Sequence, residues 1–402
     1  MRTAVRGGLA VAATLALLSA LAPAAAADGT LTWVRANTDA TGDQHGSSVA
    51  STGTGYTAVV WEDDRDNPAD PLHTDIWVRL FRDGTSVFEK KVTPAGTGTN
   101  WRYANADVAV RPDGSTVVVW ADDRDGNGYF EVFAQTYTAA GAVGGTVKVN
   151  TVADGQQTNP EVAADPDGTG FAVVFQDVAT TGAAPKVLVA GFTTIATRAY
   201  DPKPAHAAGG GHKDPDVAMG AAGNAIVVWD EDKDGNGYYN IGLASFTPSG
   251  GAKLTQRTAN RAFGDQQVNA SVAANGNGDF AVGWESKHDG ATTQVAVRSF
   301  TATGSAPAEA FLAAGTDPQV GIDDQRNAVA FWAASTDVYV RGVNPDGTST
   351  GRQPLLRANQ NTTGQQGEPA LTVDGYGQLT LAYTDDGATD VMLGTGLTNS
   401  VW

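Results

Sequence analysis

A spacing that recurs seven times is the feature of this chain that most restricts its fold. In each copy an apolar run is followed by a second apolar run that ends in an aromatic residue, twelve residues after the first anchor in six copies and thirteen in the third. The anchors are Val49, Val108, Val162, Val217, Val272, Val320 and Leu371, and the aromatic residues are Trp61, Trp120, Phe175, Trp229, Trp284, Trp332 and Tyr383. Successive anchors lie 48 to 59 residues apart, a period that is typical of solenoids and propellers.

Each copy contains four strand-like segments, which the second copy shows most clearly. Residues 106–110, 115–120, 132–137 and 146–151 are rich in apolar or β-branched residues, and turn residues such as Pro112 and Gly114 separate them. The second segments are apolar throughout instead of alternating, which is expected when both faces of a sheet are covered. We therefore predict an all-β, seven-bladed β-propeller with four antiparallel strands per blade, in which the closing aromatic residues pack between blades.

The two ends of the repeat array indicate how the ring closes. The seventh copy has segments at 369–373, 378–383 and 390–393 but no clear fourth strand. A strand-like segment at 31–37 precedes the first copy and is similar to the fourth segment of the sixth copy. We predict that this N-terminal strand completes the last blade, which removes two open sheet edges. The stretch 193–213, rich in Pro and Gly, is predicted to be an irregular excursion between blades three and four.

The N-terminus has the pattern of an export signal. Arg2 and Arg6 precede an Ala/Leu-rich run at 9–21, and three alanines at 25–27 fit a cleavage site. We predict a signal peptide at 1–27 and a secreted, extracellular propeller domain at 28–402. No second hydrophobic span is present, so no membrane span is predicted. The chain has no Cys and therefore no disulfide.

The charge of the mature chain restricts its partners. Without Arg2 and Arg6, 24 basic residues face 44 acidic residues, a net charge of −20. Such a surface argues against nucleic acid and anionic lipid. It suits a cation, a neutral or basic ligand, or solubility alone.

Polar and aromatic residues gather on one face of the predicted ring. In an antiparallel blade, the loops from second to third strand and the loops between blades emerge on the same face, which we call the loop-rich face. All five histidines lie in these connections. We predict a binding site on this face. The candidate ligand-binding residues are His45, His73, Trp101, Tyr129, His212, Tyr238 and His288. The alternative is that these residues only pack at the blade rims.

Acidic loops in three blades predict calcium. Asp230, Asp232 and Asp234, with Gly235 and Asn236, follow a spacing that wraps oxygen ligands around Ca²⁺. The loop lacks the Glu of an EF-hand, because the twelfth position is Ile241. The candidate ligands across the three blades are Asp230, Asp232, Asp234, Asn236, Asp123, Asp125, Asp64 and Asp66. In the alternative interpretation, Arg65, Arg124 and Lys233 neutralise the neighbouring aspartates as ion pairs.

The sequence Trp-x-Asp-Asp-Arg-Asp-Gly-Asn at 120–127, with variants at 61–67 and 229–236, resembles repeats of exported bacterial seven-bladed β-propeller proteins. The acidic loops are also similar to the calcium loops of integrin-type propeller repeats, although they lie between the second and third strands. The resemblance implies a seven-bladed ring and, for many members, no assigned activity.

Two signatures of common enzymes are absent from the sequence. There is no Cys and no His-Glu-x-x-His pair. We predict a non-catalytic, monomeric exported module that binds carbohydrate or an extracellular protein, with aromatic residues stacking on sugar rings. A scaffold that docks another exported protein is a further hypothesis. A polysaccharide lyase or a glycoside hydrolase with its site on the loop-rich face stays open as an alternative. Convergence of His, Tyr or Arg at the ring centre would favour an enzyme.

Overall fold

Seven four-stranded antiparallel sheets make up the described part of the chain in a computed structural model. The structure describes residues 31–70, 72–96, 100–152, 154–349, 351–352, 354–386 and 389–398. These residues form 28 β-strands and a single 3-10 turn at Ala221–Gly223. The predicted signal peptide at 1–27 lies outside the described residues. Among the residues that are described, no helix has the length and apolar character needed to cross a membrane.

The strands, numbered in chain order, fall into four classes by their place in the sheets. The innermost strands are β2 (Gln44–Ser51), β6 (Arg102–Val110), β10 (Gln156–Ala164), β14 (Gly211–Gly220), β18 (Gln267–Ala274), β22 (Thr316–Ile322) and β26 (Gln366–Val373). The second strands are β3 (Tyr56–Asp63), β7 (Thr116–Asp123), β11 (Phe171–Val178), β15 (Asn224–Asp232), β19 (Phe280–Ser286), β23 (Ala328–Ala334) and β27 (Gln378–Asp385). The third strands are β4 (Asp75–Arg82), β8 (Glu131–Tyr137), β12 (Lys186–Thr194), β16 (Asn240–Phe246), β20 (Gln294–Phe300), β24 (Asp337–Val343) and β28 (Asp390–Thr398). The outermost strands are β5 (Thr85–Lys91), β9 (Val143–Lys148), β13 (Thr197–Pro204), β17 (Ala252–Thr258), β21 (Ala310–Ala314), β25 (Leu356–Arg357) and, in blade seven, β1 (Thr32–Arg35).

The blades are arranged in a closed ring. Each innermost strand contacts the innermost strand of the next blade, and β26 contacts β2. The hydrophobic core consists of seven clusters, one at each interface between neighbouring blades. The seven closing aromatic residues lie in these clusters and are almost fully buried. The predicted seven-bladed propeller and the predicted packing role of these residues are therefore confirmed.

The N-terminal strand closes the ring, as predicted. Strand β1 pairs antiparallel with β28, with Thr32 opposite Thr395. The Trp33 ring packs edge-on against Tyr383, with ring centroids 4.8 Å apart, and its indole N–H donates to the Ala358 carbonyl at 3.0 Å. Blade seven thus combines one strand from the start of the described chain with three from its end.

The prediction of an irregular excursion at 193–213 is wrong. Residues Thr197–Pro204 form β13, which pairs with β12 as the fourth strand of blade three. Proline is tolerated there because an edge strand has one side without ladder partners. The pairing of β12 with β13 also contains several register shifts, which accommodate the irregular sequence.

A repeated asparagine fixes the connection between blades. Its Oδ1 accepts the backbone N–H at the start of the third strand, and in three blades its Nδ2 donates to a buried Gln of the next blade. The asparagines are Asn37, Asn150, Asn260 and Asn359, and the glutamines are Gln44, Gln157 and Gln366. Each of these glutamines ends a Gly-x-Gln segment of an inter-blade loop, at 42–44, 155–157 and 364–366, so this repeated segment has a structural role.

Candidate functional site

A β-bulge near the start of each innermost strand shapes the mouth of the central channel. The register of the innermost and second strands shifts there in all seven blades. The residue at each bulge has a left-handed backbone with φ between 46° and 60°. These residues are Gly46, Asn105, Asn159, Asp214, Asn269, Asp317 and Glu368. Since the innermost strands begin at the loop-rich face, the bulges ring the channel on that face.

The channel is an acidic cavity of about 570 Å³ on the ring axis, lined by all seven blades. Its wall includes the carboxyl side chains of Glu62, Asp107, Glu161, Asp214, Asp216 and Asp317. Within the described part of the chain, no His, Tyr or Arg lines this cavity. The convergence of such residues that would favour a lyase is therefore not seen there.

Several acidic side chains at the mouth connect one blade to the next. The residue after the closing aromatic accepts a hydrogen bond from the bulge amide of the following blade. Glu62 accepts from the Asn105 N–H at 2.8 Å, and Glu285 accepts from the Asp317 N–H at 2.9 Å. In blades two and six the corresponding residues are Ala121 and Ala333, which have no such acceptor. These carboxylates therefore help to hold neighbouring blades together.

Three carboxyl groups lie deeper in the channel on neighbouring blades. Asp107 accepts hydrogen bonds from the Ser48 hydroxyl at 2.5 Å and the Val162 N–H at 2.7 Å. Burial raises the pKa of Asp216 to about 7 and raises the pKa of Asp107. Burial, together with the neighbouring carboxyls of Asp107 and Asp216, raises the pKa of Glu161 well above its ordinary value. The channel can thus hold protons near neutral pH.

Each of these three acids directly precedes a repeat anchor. An acidic residue inside an apolar strand was therefore the sequence signal that could have revealed them.

The Trp-x-Asp-Asp-Arg motif forms an internal hydrogen-bond unit. In blade one the Asp63 carboxylate accepts the Trp61 indole N–H at 2.7 Å and pairs with the Arg65 guanidinium at 2.6 Å. The guanidinium lies 4.0 Å from the centroid of the Trp77 ring. Blade two repeats this unit with Asp122, Trp120, Arg124 and Phe133. The ion pairs of the alternative interpretation are therefore present in both blades.

The candidate calcium ligands of blade four are spread over two places. Asp230 is fully buried beside the Lys213 ammonium, 3.4 Å away, and burial raises the pKa of Asp230 to about 7. Asp232 instead accepts the backbone N–H groups of Asn236 and Gly237, both at 3.0 Å. Asp234 accepts from the Asn236 amide at 2.9 Å.

The candidate ligands of blades one and two also bind groups of the protein. Asp64 accepts the Asp43 N–H at 2.6 Å, and Asp66 pairs with Lys91 at 2.8 Å. Asp123 and Asp125 accept hydrogen bonds within their own loop. Across the residues that the structure describes, no group of three or more His, Cys, Asp or Glu side chains is arranged to hold a metal ion. Calcium binding stays a prediction.

Histidines predicted as ligand contacts lie at separate places around the ring. His45 is opposite Glu62 at the channel mouth. The His73 ring pairs with Asp70 at 2.9 Å and packs on Trp101, with centroids 4.8 Å apart. His288 stacks on Phe311, with centroids 4.0 Å apart. Only His73 and Trp101 are brought into contact.

His212 is buried inside blade four. It is 1% exposed, its ring stacks on His206 with centroids 3.4 Å apart, and its Nε2 lies 2.7 Å from the Gly209 carbonyl oxygen. The contacts of His212 are therefore with the protein interior.

Tyr129 and Tyr238, in contrast, are presented to solvent by two loops of the same construction. We call residues 123–130 the first tyrosine loop and residues 232–239 the second tyrosine loop. Their tyrosine side chains are 49% and 54% exposed. In both loops an asparagine two positions earlier accepts the tyrosine N–H at 2.7 Å through its side-chain oxygen. Asp123 accepts the Gly128 N–H in the first loop, and Asp232 accepts the Gly237 N–H at the same positions of the second loop.

A glutamine of the next blade braces each tyrosine loop. Gln156 accepts the Phe130 N–H at 3.1 Å and donates to the Gly128 carbonyl at 2.6 Å. In the second loop, Gln266 accepts the Tyr239 N–H at 3.2 Å and donates to the Gly237 carbonyl at 2.8 Å. Each tyrosine thus projects from a backbone that is fixed on both sides.

A cleft of about 570 Å³ lies beside the first tyrosine loop and extends over the edge of blade three. Arg102, Asp123, Phe130, Thr158 and Gln176 are among its lining residues. Asp123 is 2% exposed, its Oδ1 has no hydrogen-bond partner among the described residues, and burial raises the pKa of Asp123. The exposed Arg102 guanidinium forms no ion pair or hydrogen bond with any described residue. The cleft therefore offers a donor and an acceptor, and the aromatic ring among its lining residues is Phe130. Arg102, Thr158 and Gln176 were not predicted, because nothing in their local sequence distinguishes them.

Solved structures of other proteins share this architecture. A protein of unknown function from Dyadobacter fermentans is 14% identical, with a TM-score of 0.51 over 75% of this chain and 95% of its own. A polysaccharide lyase is 14% identical, with a TM-score of 0.53 over 89% of this chain and 90% of its own. An α-L-arabinanase of Penicillium chrysogenum, solved with arabinobiose, is 12% identical, with a TM-score of 0.51 over 75% of this chain and 95% of its own. At such identities the similarity concerns the fold alone. No protein-family model and no curated protein sequence matches the chain.

Proposed function

We propose that this protein is an exported, non-catalytic module that binds carbohydrate on its loop-rich face. The observation that carries the proposal is the braced, half-exposed Tyr129, whose neighbours in the chain, Gly128 and Phe130, line a cleft that also contains polar side chains. An aromatic ring stacks on the apolar face of a sugar, and neighbouring polar groups bind its hydroxyls. In this cleft the Arg102 guanidinium and the Gln176 amide are placed to donate, and the Asp123 carboxylate to accept.

The construction of the first tyrosine loop supports a binding role for its side chain. Holding an aromatic ring in water gains no core burial, so the hydrogen bonds that Asn127 and Gln156 accept from the Tyr129 and Phe130 N–H groups are not explained by packing of Tyr129. They do fix the backbone before a ligand arrives, which lowers the entropy lost on binding. Asp123 is moreover the only carboxyl group among the described residues that line the cleft, whereas hydrolysis of glycosides normally requires a pair.

Replacing Tyr129 with alanine tests the proposal. Wild-type protein is first screened against neutral polysaccharides (xylan, arabinan, mannan and mixed-linkage β-glucan) by affinity electrophoresis and calorimetry. We expect binding to at least one of them, weakened about tenfold in Y129A, since an aromatic stacking contact is worth roughly 1 kcal/mol or more. Tyr376, which is 64% exposed in the β26–β27 turn on the opposite face, provides a matched control, and Y376A should bind as the wild type does. Absence of binding to any polysaccharide, or equal affinities of Y129A and wild type, would contradict the proposal.

The channel carboxyls favour a second candidate function, glycoside hydrolysis. A general acid must carry its proton at the working pH, and burial in the channel provides this for Glu161 and Asp216. Measuring reducing sugar released from the same polysaccharides distinguishes the two functions. Release that is abolished by E161Q would support a hydrolase. Binding without release, unchanged in E161Q, would support the non-catalytic module.

A further inference from the structure

The second tyrosine loop repeats the bracing hydrogen bonds of the first. In blade four, Asp232, Asn236 and Gln266 accept the backbone N–H groups that correspond to those accepted by Asp123, Asn127 and Gln156 in blade two. The loops differ in one bond, because the Asn236 N–H donates to Asp232 whereas the Asn127 N–H donates to Asp125. Gly235 and Gly237 have positive φ, as do Gly126 and Gly128 at the corresponding positions. The same backbone therefore presents Tyr238 to solvent as presents Tyr129.

No other blade has this arrangement in its sequence. The loops between the second and third strands of blades one, three, five, six and seven contain no Asn-Gly-Tyr segment. Neither Tyr129 nor Tyr238 stacks on another described aromatic ring, whereas His288, in the corresponding loop of blade five, packs on Phe311. The exposed pair is thus a specific feature of blades two and four and not a general consequence of the propeller repeat.

Both tyrosines lie on one face of the molecule, with blade three between them. Each follows the second strand of its blade, and all second strands of the ring end at the loop-rich face. The surroundings of the two rings differ. Opposite Asp232 is Gly211, whereas opposite the matching Asp123 is Arg102. The second loop therefore offers stacking without the guanidinium of the cleft.

We propose that Tyr129 and Tyr238 are two stacking subsites for a single polysaccharide chain that passes over blade three. This inference rests on the proposed carbohydrate function and specifies its ligand as a polymer. Once one ring has bound, the other meets the same chain at high effective concentration, so a long chain binds more tightly than a fragment that reaches one ring only. The rigid loops favour this effect because their fixed separation reduces the entropy lost when both sites are filled.

The test compares a long chain with its fragment at each ring separately. The polysaccharide bound most tightly in the neutral panel and its trisaccharide are titrated into protein labelled with 3-fluorotyrosine, whose fluorine resonances are assigned with Y129F and Y238F. We expect the trisaccharide to shift both resonances, and to shift the Tyr238 resonance in Y129A as well. With the long chain, Y129A and Y238A should each lose at least tenfold in affinity and approach the affinity of the trisaccharide, whereas Y376A should not change.

The outcomes separate this inference from the function on which it rests. If the trisaccharide shifts Tyr129 alone and Y238A binds the long chain as the wild type does, the two-subsite inference is wrong and the carbohydrate function stands. If no glycan of the panel shifts either resonance, the carbohydrate function itself is wrong. A long chain that binds no more tightly than its trisaccharide would also overturn the inference.

Discussion

His206 occupies a position that asparagine fills in four other blades. Its Nε2 accepts the Val187 N–H at 3.2 Å, and its Nδ1 lies 2.8 Å from the Ala207 carbonyl oxygen. The first of these bonds requires an unprotonated Nε2. Burial, with a smaller contribution from His212 on which it stacks, lowers the pKa of His206 to about 4. Since this is below the pKa of about 6.5 of an unfolded histidine, the unfolded chain binds more protons between these values.

The stability of the protein should therefore fall as the pH decreases from about 6.5 to about 4. His206→Asn keeps the acceptor that the other blades use and removes the titrating group. We expect the wild type to lose on the order of 2 kcal/mol more than H206N in free energy of unfolding between pH 7 and pH 4. Urea denaturation at both pH values measures this difference. The channel carboxyls are present in both proteins, so their contribution to the pH dependence cancels in the comparison. Parallel pH profiles of the two proteins would show that His206 does not titrate in this way.

At the scale of the strand, the bulges and their acceptors connect the innermost strands around the ring. Glu285 is 8% exposed and accepts hydrogen bonds from the Asp317 N–H at 2.9 Å and the Asn269 amide at 2.6 Å. One carboxylate thereby holds its own blade and the next. Burial raises the pKa of Glu285 because it disfavours the charged carboxylate. The acceptor atoms of Glu285 are therefore expected to matter more for stability than its charge.

Replacing Glu285 separates the hydrogen bonds from the charge. E285A leaves the Asp317 amide without its acceptor and should cost about 1–3 kcal/mol of unfolding free energy. E285Q retains an acceptor and should cost less than about 1 kcal/mol. Equilibrium denaturation at pH 7 measures both variants. Equal losses in E285A and E285Q would indicate that charge, and not the bond to the bulge, is what blade six requires.

At the scale of the molecule, stability depends on seven similar interfaces and on one strand that closes the circle. The interface clusters are contiguous around the ring, so an unpaired blade seven would expose an edge and part of two clusters. Strand β1 covers that edge, and Asn37, which follows it, donates to Asp390 at 2.8 Å. The closing contacts are therefore polar as well as apolar.

Removing the closing strand should destabilise the whole ring. A chain without residues 28–40 is expected to aggregate or to melt at a much lower temperature, because β28 becomes an exposed edge. A chain that lacks only residues 28–30 retains β1 and should melt as the mature protein does. Differential scanning calorimetry and light scattering compare the two. Equal melting of the longer truncation would mean that β1 does not contribute to closure.

The sequence predicts the ring well because every repeat has the same pattern of apolar residues. The anchor and the closing aromatic, for example Val108 and Trp120, recur at nearly fixed spacing, and each is apolar enough to be assigned to the core without its neighbours. The site is less predictable. Tyr129 and Tyr238 could be chosen as aromatics outside the strand pattern, but nothing local shows that Gln156 braces the first of them. The left-handed backbone of Glu368 also has no residue signature, since this residue is not a glycine, an asparagine or an aspartate. Arg102 and Thr158 meet in one cleft only because two blades bring them together.

The shared last blade also bears on how the chain could be reconnected. Thr32 lies directly opposite Thr395, so a short linker could join the two ends of the described chain without disturbing any sheet. A circular permutant that opens instead at the exposed turn after β26, around Tyr376, would preserve every interface and both tyrosine loops while moving the chain ends from the outer pair β28–β1 to the inner pair β26–β27 of the same blade.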